Sequence, residues 1–379
     1  MSVNKSIVLV RQRFSAFGGA ERFLDRALES LRRQGAQVSI VARSWDGGSA
    51  AVNGVVCNPF FLGRLWRDAG FAWGVCRLLS SRDGVLVQSH ERLPCCDIYR
   101  AGDGVHAVWL EQRGRVVSGL RRFLDRYSPY HAYTRFMEGR LYRSPRLKAV
   151  ICNSAMVKEE IQENYGVDES LLHVIYNGVD SEAFHPDLKV RHREALRREW
   201  KIPEEAVLFL FLGSGYQRKG LAQVLTALAR QTDEAWLMVV GQEKSLRRYK
   251  RMAARLGLKD RVRFAGAQPD VGPFYGAADA FVLPSLYDPF ANAVLEAMAC
   301  GLPVITSRKC GAVDLIADGE NGYLVDALDE TALALAMTRL HDGALREKMG
   351  RKSRETVLPL SFAAMGEKLL ALYEELLSR

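Results

Sequence analysis

The sequence predicts two doubly wound α/β domains, each a parallel sheet covered by helices on both faces. Three observations point there. A chain of 379 residues with 48% hydrophobic content can bury more than one core. Short continuous apolar runs alternate with amphipathic stretches along nearly its whole length. The alternation lapses once, between 183 and 203, where Pro186 and Pro203 sit among charged residues. This gives a first domain over 1–177, a second over 178–358 with its linker near 178–200, and a final helix over 359–379 expected to pack back on the first.

The elements follow in order. SIVLV (6–10) is a short buried strand. FLDRALESLRRQG then lines up Phe23, Leu24, Ala27, Leu28 and Leu31 on one helical face and stops at Gly35. VSIVA (38–42) is the next strand, completing a βαβ start. KAVICNS (148–154) is a strand ending in Ser154 as an N-cap, its helix reaches about Tyr165, and Gly166 ends it before LHVIYNGVD. In the second domain VLFLFLG, WLMVVG, VRFAG, AFVLPS, PVITS and GYLV read as strands. LAQVLTALARQ, SLRRYKRMAARLG, AVLEAMACG and AVDLIADG read as the helices between them.

No stretch approaches the ~20 apolar residues of a membrane span, and Ile7–Val10 is too short for a secretory signal. A cytoplasmic protein is expected. The seven cysteines (Cys57, Cys76, Cys95, Cys96, Cys152, Cys300, Cys310) are scattered and form no CxxC pair, so they read as reduced thiols. The net charge of +9 is concentrated: residues 113–148 hold ten basic and two acidic residues. Such a patch expects an anionic partner, nucleic acid or a membrane surface.

In doubly wound sheets ligands bind beyond the carboxyl ends of strands, and four such ends carry chemistry here. In FSAFGGAER, Gly18 and Gly19 leave backbone N–H groups free at a helix start, an anion site in form or simply a tight turn. In GSGYQRKG, Arg218 and Lys219 adjoin a helix start, as a diphosphate would require, although no P-loop spacing is present. In PSLYDPFANAVLEAMACG, Asp288 precedes a helix whose start, Phe290, Ala291, Asn292, Ala293 and Val294, could hold phosphate oxygens. Glu296 lies inside that helix among apolar neighbours and needs a partner there. In YRAGDGVHAVWL, Asp103 and His106 follow a strand end, where a lone histidine is more often structural.

GSGYQRKG, VVGQEK, VRFAG, ADAFVLPSLYDPFANAVLEAMACGLPVITS and NGYLV occur in an order that resembles the retaining, GT-B-fold glycosyltransferases of family 4. FGGAER, DIYRAGDGVHAVWLEQRG and the basic aromatic segment after them resemble the branch that adds glucose to an inner-core heptose of lipopolysaccharide. The resemblance implies two Rossmann-like domains facing a central cleft, a UDP-sugar donor, and a lipid-linked saccharide acceptor. By position, Glu296 matches the second carboxylate of the family signature and would bind the donor ribose. Asp288 stands at the first, where the family normally has Glu near the donor sugar. Gly215, Arg218 and Lys219 match the segment that holds the diphosphate, and Gly18 and Gly19 the loop that closes over the phosphates. Asp103, with His106 beside it, matches an acidic residue near the acceptor.

The sequence contains no DxD motif, so Arg218, Lys219 and helix starts are expected to stabilise the leaving diphosphate in place of a metal, and no cofactor is expected. Retention normally suggests a carboxylate nucleophile, but the resemblance implies front-face attack, with the leaving phosphate oxygen taking the acceptor's proton. Arg121, Arg122, Arg126 and Arg135, among Phe123, Tyr127, Tyr130, Tyr133, Phe136 and Tyr142, suit an anionic membrane surface on the inner face of the cytoplasmic membrane. A solvated helix face is the plain alternative, and nothing resembles a nucleic-acid module. Other occupants of the same scaffold are a phosphorylase, a nucleotide-sugar epimerase or a silent binding protein, which acceptor-dependent UDP release would separate.

Overall fold

The computed structural model describes residues 6–15, 37–46, 53–80 and 85–378. The chain divides into two compact units, Met1–Gly178 with Phe362–Arg379, and Val179–Ser361. Gly18 and Gly19 lie outside the described residues, as does the helix read over 23–35.

Unit 1 is built on β1 (Ser6–Ser15), β2 (Gln37–Asp46), β3 (Asn53–Val56), β4 (Val85–Ser89), β5 (Ile98–Arg100), β6 (Ala149–Cys152) and β7 (Leu172–Val174). They form one sheet in the order β3-β2-β1-β4-β5-β6-β7, every neighbouring pair parallel. Ile7, in β1, lies between Val38 and Leu86. Ile7 to Val10 are buried without alternation, as a central strand covered on both faces requires. Ser154 accepts from the Val157 N–H and Gly166 closes the helix Ala155–Tyr165 in the left-handed region. The helix Phe362–Ser378 completes this core: Met365, Leu369, Leu372 and Leu376 join Ile7, Leu9, Ile40 and Leu86, and the Tyr373 hydroxyl donates to Gln88 Oε1 at 2.5 Å.

One expectation is overturned here. Cys76 and Cys95 form a disulfide rather than standing as free thiols, tying the helix Gly63–Leu79 to the segment before β5. Their separation of 19 residues has no motif around it, so only the fold brings them together.

Unit 2 contains β8 (Val207–Leu212), β9 (Ala235–Val240), β10 (Val262–Gly266), β11 (Ala280–Leu283), β12 (Val304–Ser307) and β13 (Gly322–Val325). Their order is β10-β9-β8-β11-β12-β13, again parallel throughout. Two readings are corrected. The stretch expected as linker is largely a helix, Asp187–Glu199, belonging to this unit. Most of its charged residues face water, while Leu188, Leu196 and Arg197 are buried and Arg193 turns in to Asp279 at 2.8 Å. Arg197 pairs with the buried Asp279 at 2.7 Å and donates to the carbonyls of Ala277 and Ala206. The segment read as helical from 312 is a short 3-10 turn, Gly311–Leu315.

Candidate functional site

In unit 2 the chain brings Arg218, Lys219 and Asp288 together although 69 residues separate Lys219 from Asp288. Two glycines make the approach possible. Gly220, at φ 80°, ends the one-turn helix Tyr216–Lys219 and lies so close to Pro284, after β11, that a Cβ would come within 2.2 Å of its carbonyl oxygen. Gly213, at the end of β8, leaves room for the Lys219 stem, whose Cε would lie 3.3 Å from an added Cβ. The Leu286 N–H donates to the Arg218 carbonyl at 2.8 Å, fixing the loop after β11 against this turn. Gly215, also left-handed, opens the turn, and the Tyr216 N–H donates to Glu243 Oε2 at 2.9 Å.

The cluster itself is an ion triad with a buried Lys219–Asp288 pair at its centre. Lys219 Nζ and Arg218 Nη1 both donate to Asp288 Oδ2, the arginine at 3.1 Å. Lys219 and Asp288 are under 10% exposed, whereas the Arg218 side chain is 41% exposed. Burial pushes the Asp288 carboxyl upward, but Lys219 and then Arg218 outweigh it and hold the group below its ordinary range. With one carboxylate against two cations, the net charge is +1. Such a cluster at a strand end can receive an anion through the exposed guanidinium.

Asp288 is thus the counter-ion of the basic pair, a placement that motif position alone did not indicate. Asp288 lies five residues beyond the end of β11, and the helix that follows runs Asn292–Ala299. Phe290, Ala291 and Val294 are buried, Asn292 is exposed and Ala293 is half-buried. Glu296 has the partner its apolar surroundings demanded: the Tyr275 hydroxyl donates to Oε2 at 2.7 Å and lies 3.1 Å from the Ala293 carbonyl. Burial raises the Glu296 pKa, and the Tyr275 hydrogen bond draws it back. Tyr275 carried no local signal, and Glu243, although it lies in the VVGQEK motif, was not singled out, since each acts through a contact across the sheet's end.

Asp103 and His106 belong to unit 1 and are linked through a second buried network. Asp103, exposed, meets Arg92 at 3.3 Å, and Arg92 pairs with the fully buried Glu138 at 2.8 Å. Glu138 also accepts from the His106 N–H, at the start of the helix His106–Gly114, and from the Tyr165 hydroxyl at 2.7 Å. The His106 ring stands 3.0 Å, Nε2 to Nδ1, from His131, which lies beside Asp125. Burial, then Arg92 and His131, lower the His106 pKa to about 3. The ring is therefore neutral at neutral pH and serves as a hydrogen-bonding group.

In the basic segment the helix Gly119–Arg126 is capped by Ser118 and exposes Leu120, Phe123 and Leu124 beside Arg121, Arg122 and Arg126. Tyr127 follows, its ring 4.7 Å from Phe123. Arg122, Arg126 and Arg135 line a cavity of about 430 Å³ together with Arg115, Glu111 and Asp125. Tyr142 departs from the reading as a surface aromatic: it is buried, packed on Tyr99 and Tyr165. Among the described residues no helix is long and apolar enough to cross a membrane.

Two Rossmann-like units, the second gathering cations and a carboxylate beyond the carboxyl ends of its parallel strands, define a protein of the GT-B fold. The chain is a glycosyltransferase: residues 17–183 match the family described as Glycosyltransferase Family 4 and residues 192–356 match Glycosyl transferases group 1. It is 26% identical over 320 residues to the lipopolysaccharide glucosyltransferase WaaG of Escherichia coli strain K12, covering 83% of each chain. It is 35% identical over 164 residues to the lipopolysaccharide core biosynthesis glycosyltransferase LpsE of Rhizobium meliloti strain 1021, 43% of this chain and 48% of that one. The crystal structure of WaaG superposes with a TM-score of 0.79 at 24% identity, covering 97% of this chain and 99% of that one. Anabaena HepE, solved in complex with UDP-glucose, superposes with a TM-score of 0.72 at 20% identity, covering 98% and 99%.

Proposed function

We propose that the protein is a retaining, metal-independent hexosyltransferase that moves glucose from UDP-glucose to a hydroxyl of a lipopolysaccharide core or similar lipid-linked saccharide. The observation that carries this reading is the Lys219–Asp288–Arg218 triad at the ends of β8 and β11. As the bond between the sugar and the diphosphate breaks, negative charge collects on the leaving nucleotide. Lys219 and Arg218 are the groups that meet this charge, at several kcal/mol for preorganised donors of this type. Asp288 holds both in place before the donor arrives. Glu296 Oε2 is engaged by Tyr275, and its other oxygen is assigned to the ribose hydroxyls. The proton of the attacking hydroxyl passes to the leaving phosphate oxygen on the same face, so no protein base is assigned. Asp103 and His106 are assigned to the acceptor side.

The same reading places the protein in the cytoplasm, peripherally on the inner face of the membrane, where the exposed arginines and apolar residues of 119–127 meet anionic lipid. The relatives concerned with lipopolysaccharide, and HepE with UDP-glucose, support the choice of acceptor and donor. The test is UDP release from a panel of UDP-, GDP- and ADP-sugars with truncated lipopolysaccharide, with and without EDTA. Release from UDP-glucose that requires acceptor and survives EDTA is expected. Acceptor-independent turnover, or loss in EDTA restored by magnesium or manganese, refutes it.

A further inference from the structure

Helix Gly63–Leu79 and the segment leading into it expose four large apolar side chains: Phe60 at 81%, Leu62 at 70%, Trp66 at 57% and Trp73 at 63%. The helix has a proper inner face, Phe71, Ala72, Val75 and Leu79, so these four are not a poorly packed core. Trp66 and Trp73 are two turns apart and share the opposite side. The platform beneath them is fixed. The segment 57–59 lies against the helix so closely that a Cβ on Gly74 would come within 2.9 Å of Cys57 Sγ, and the Cys76–Cys95 disulfide holds the helix near its far end. Exposed tryptophan on a fixed surface is costly in water and points to an occupant.

The charges say which occupant. Between 57 and 80 the chain carries Arg64, Arg67 and Arg77 against a single acid, Asp68, and Asp68 Oδ1 already accepts from Arg67 at 2.8 Å and Gln12 at 3.0 Å. Arg77 lies over the Trp73 ring, 5.3 Å from its centroid. A second copy seated here would bring the same arginines with no carboxylate to answer them. Amphipathic aromatics mixed with arginine match the headgroup zone of an anionic bilayer. Arg64, in the first turn on the side away from the tryptophans, stacks on Tyr130 at 4.2 Å and ties this helix to the element that follows the basic helix.

We infer that Phe60, Leu62, Trp66 and Trp73 form a second membrane-inserting arm beside the 119–127 helix, seated in an anionic lipid surface. The inference rests on the proposed membrane-facing role of the basic segment and assigns the two arms different work. The 119–127 arginines supply attraction that salt weakens; the tryptophan arm supplies burial that salt does not weaken.

The test is co-sedimentation of the full chain with phosphatidylglycerol-rich vesicles at about 0.15 M and about 1 M NaCl, the first near physiological and the second strongly screening. Wild type, W66S/W73S and R121Q/R122Q/R126Q are compared, with thermal melting and UDP binding as controls for folding. The arginine variant should lose binding chiefly at low salt. The tryptophan variant should lose the salt-resistant part, by about tenfold or more. Nitroxide-labelled lipid should quench wild-type tryptophan fluorescence and quench the W66S/W73S variant less. Equal partition of wild type and W66S/W73S overturns the second arm alone. A wild-type dimer that W66S/W73S abolishes also overturns it, in favour of a second copy. A wild type that ignores the vesicles removes the membrane reading altogether, and the second arm with it.

Discussion

Replacing Asp288 by asparagine should weaken the fold and strengthen nucleotide binding at once. The carboxylate is 6% exposed and holds two cations, of which Lys219 is itself buried. Asparagine keeps the shape and one acceptor oxygen but leaves the ammonium and guanidinium facing each other without a counter-charge. Breaking a buried pair in this way costs about 3–5 kcal/mol, and partial exposure of Arg218 with the residual amide contact reduces this to about 2–3 kcal/mol. For a unit of this size that lowers Tm by roughly 5–10 °C. The cluster meanwhile rises from a net charge of +1 to +2. An extra unit charge about 5 Å from a phosphate gives at most about 3 kcal/mol at an effective dielectric of 20, and about 1–2 kcal/mol after screening. UDP should therefore bind about five- to thirtyfold more tightly. Calorimetric titration of UDP alongside thermal melting reads both quantities. Lys219→Ala is the control, expected to lose turnover at least as much as donor affinity because the leaving group carries most charge in the transition state. If Asp288→Asn weakens UDP binding as Lys219→Ala does, the carboxylate contacts the donor directly and its assignment as counter-ion is wrong.

Tyr275→Phe removes one hydroxyl and leaves Glu296 buried without its donor. UDP affinity should fall by about tenfold, with a smaller effect on a donor lacking the ribose 2′-hydroxyl, and equal losses for both would detach Glu296 from the ribose. The His106 pair gives a pH signature. Its folded pKa, about 3, lies below the unfolded value, so the unfolded chain binds the extra proton and stability falls as pH drops from about 6.5 toward 3. His106→Gln should flatten that part of the Tm profile, and an unchanged slope would place the titration elsewhere.

The strands of the second sheet, and β1, β2, β6 and β7 of the first, were legible because a doubly wound sheet buries its strands on both faces and writes them as unbroken apolar runs, VLFLFL being the plainest; β3 and β4 went unread. Ser154 and Gly166 were legible for the same reason of locality, since a cap is satisfied within four residues. The helix Asp187–Glu199 was hidden because only Leu188, Leu196 and the stem of Arg197 face inward, too few to mark a period among so many charges. At the candidate site, residue types announced Arg218, Lys219 and Glu296. What they touch did not follow, because Asp288 and Tyr275 arrive from other parts of the sheet. The exposed Trp66 and Trp73 were missed because the helix that carries them, Gly63–Leu79, was not read from the sequence, and their side shows only once Phe71, Ala72, Val75 and Leu79 are seen to form its inner face.

The sharing of one core by β1 and the helix Phe362–Ser378 sets an order of events during synthesis. Residues 179–361 are contiguous, and the ribosome delivers that unit whole while the earlier one still lacks its closing helix. Until residue 376 has emerged, Ile7, Leu9, Ile40 and Leu86 have no Leu369, Leu372 or Leu376 to cover them. The unit translated first is the one finished last, its strands all made but part of their apolar face uncovered until the final helix arrives.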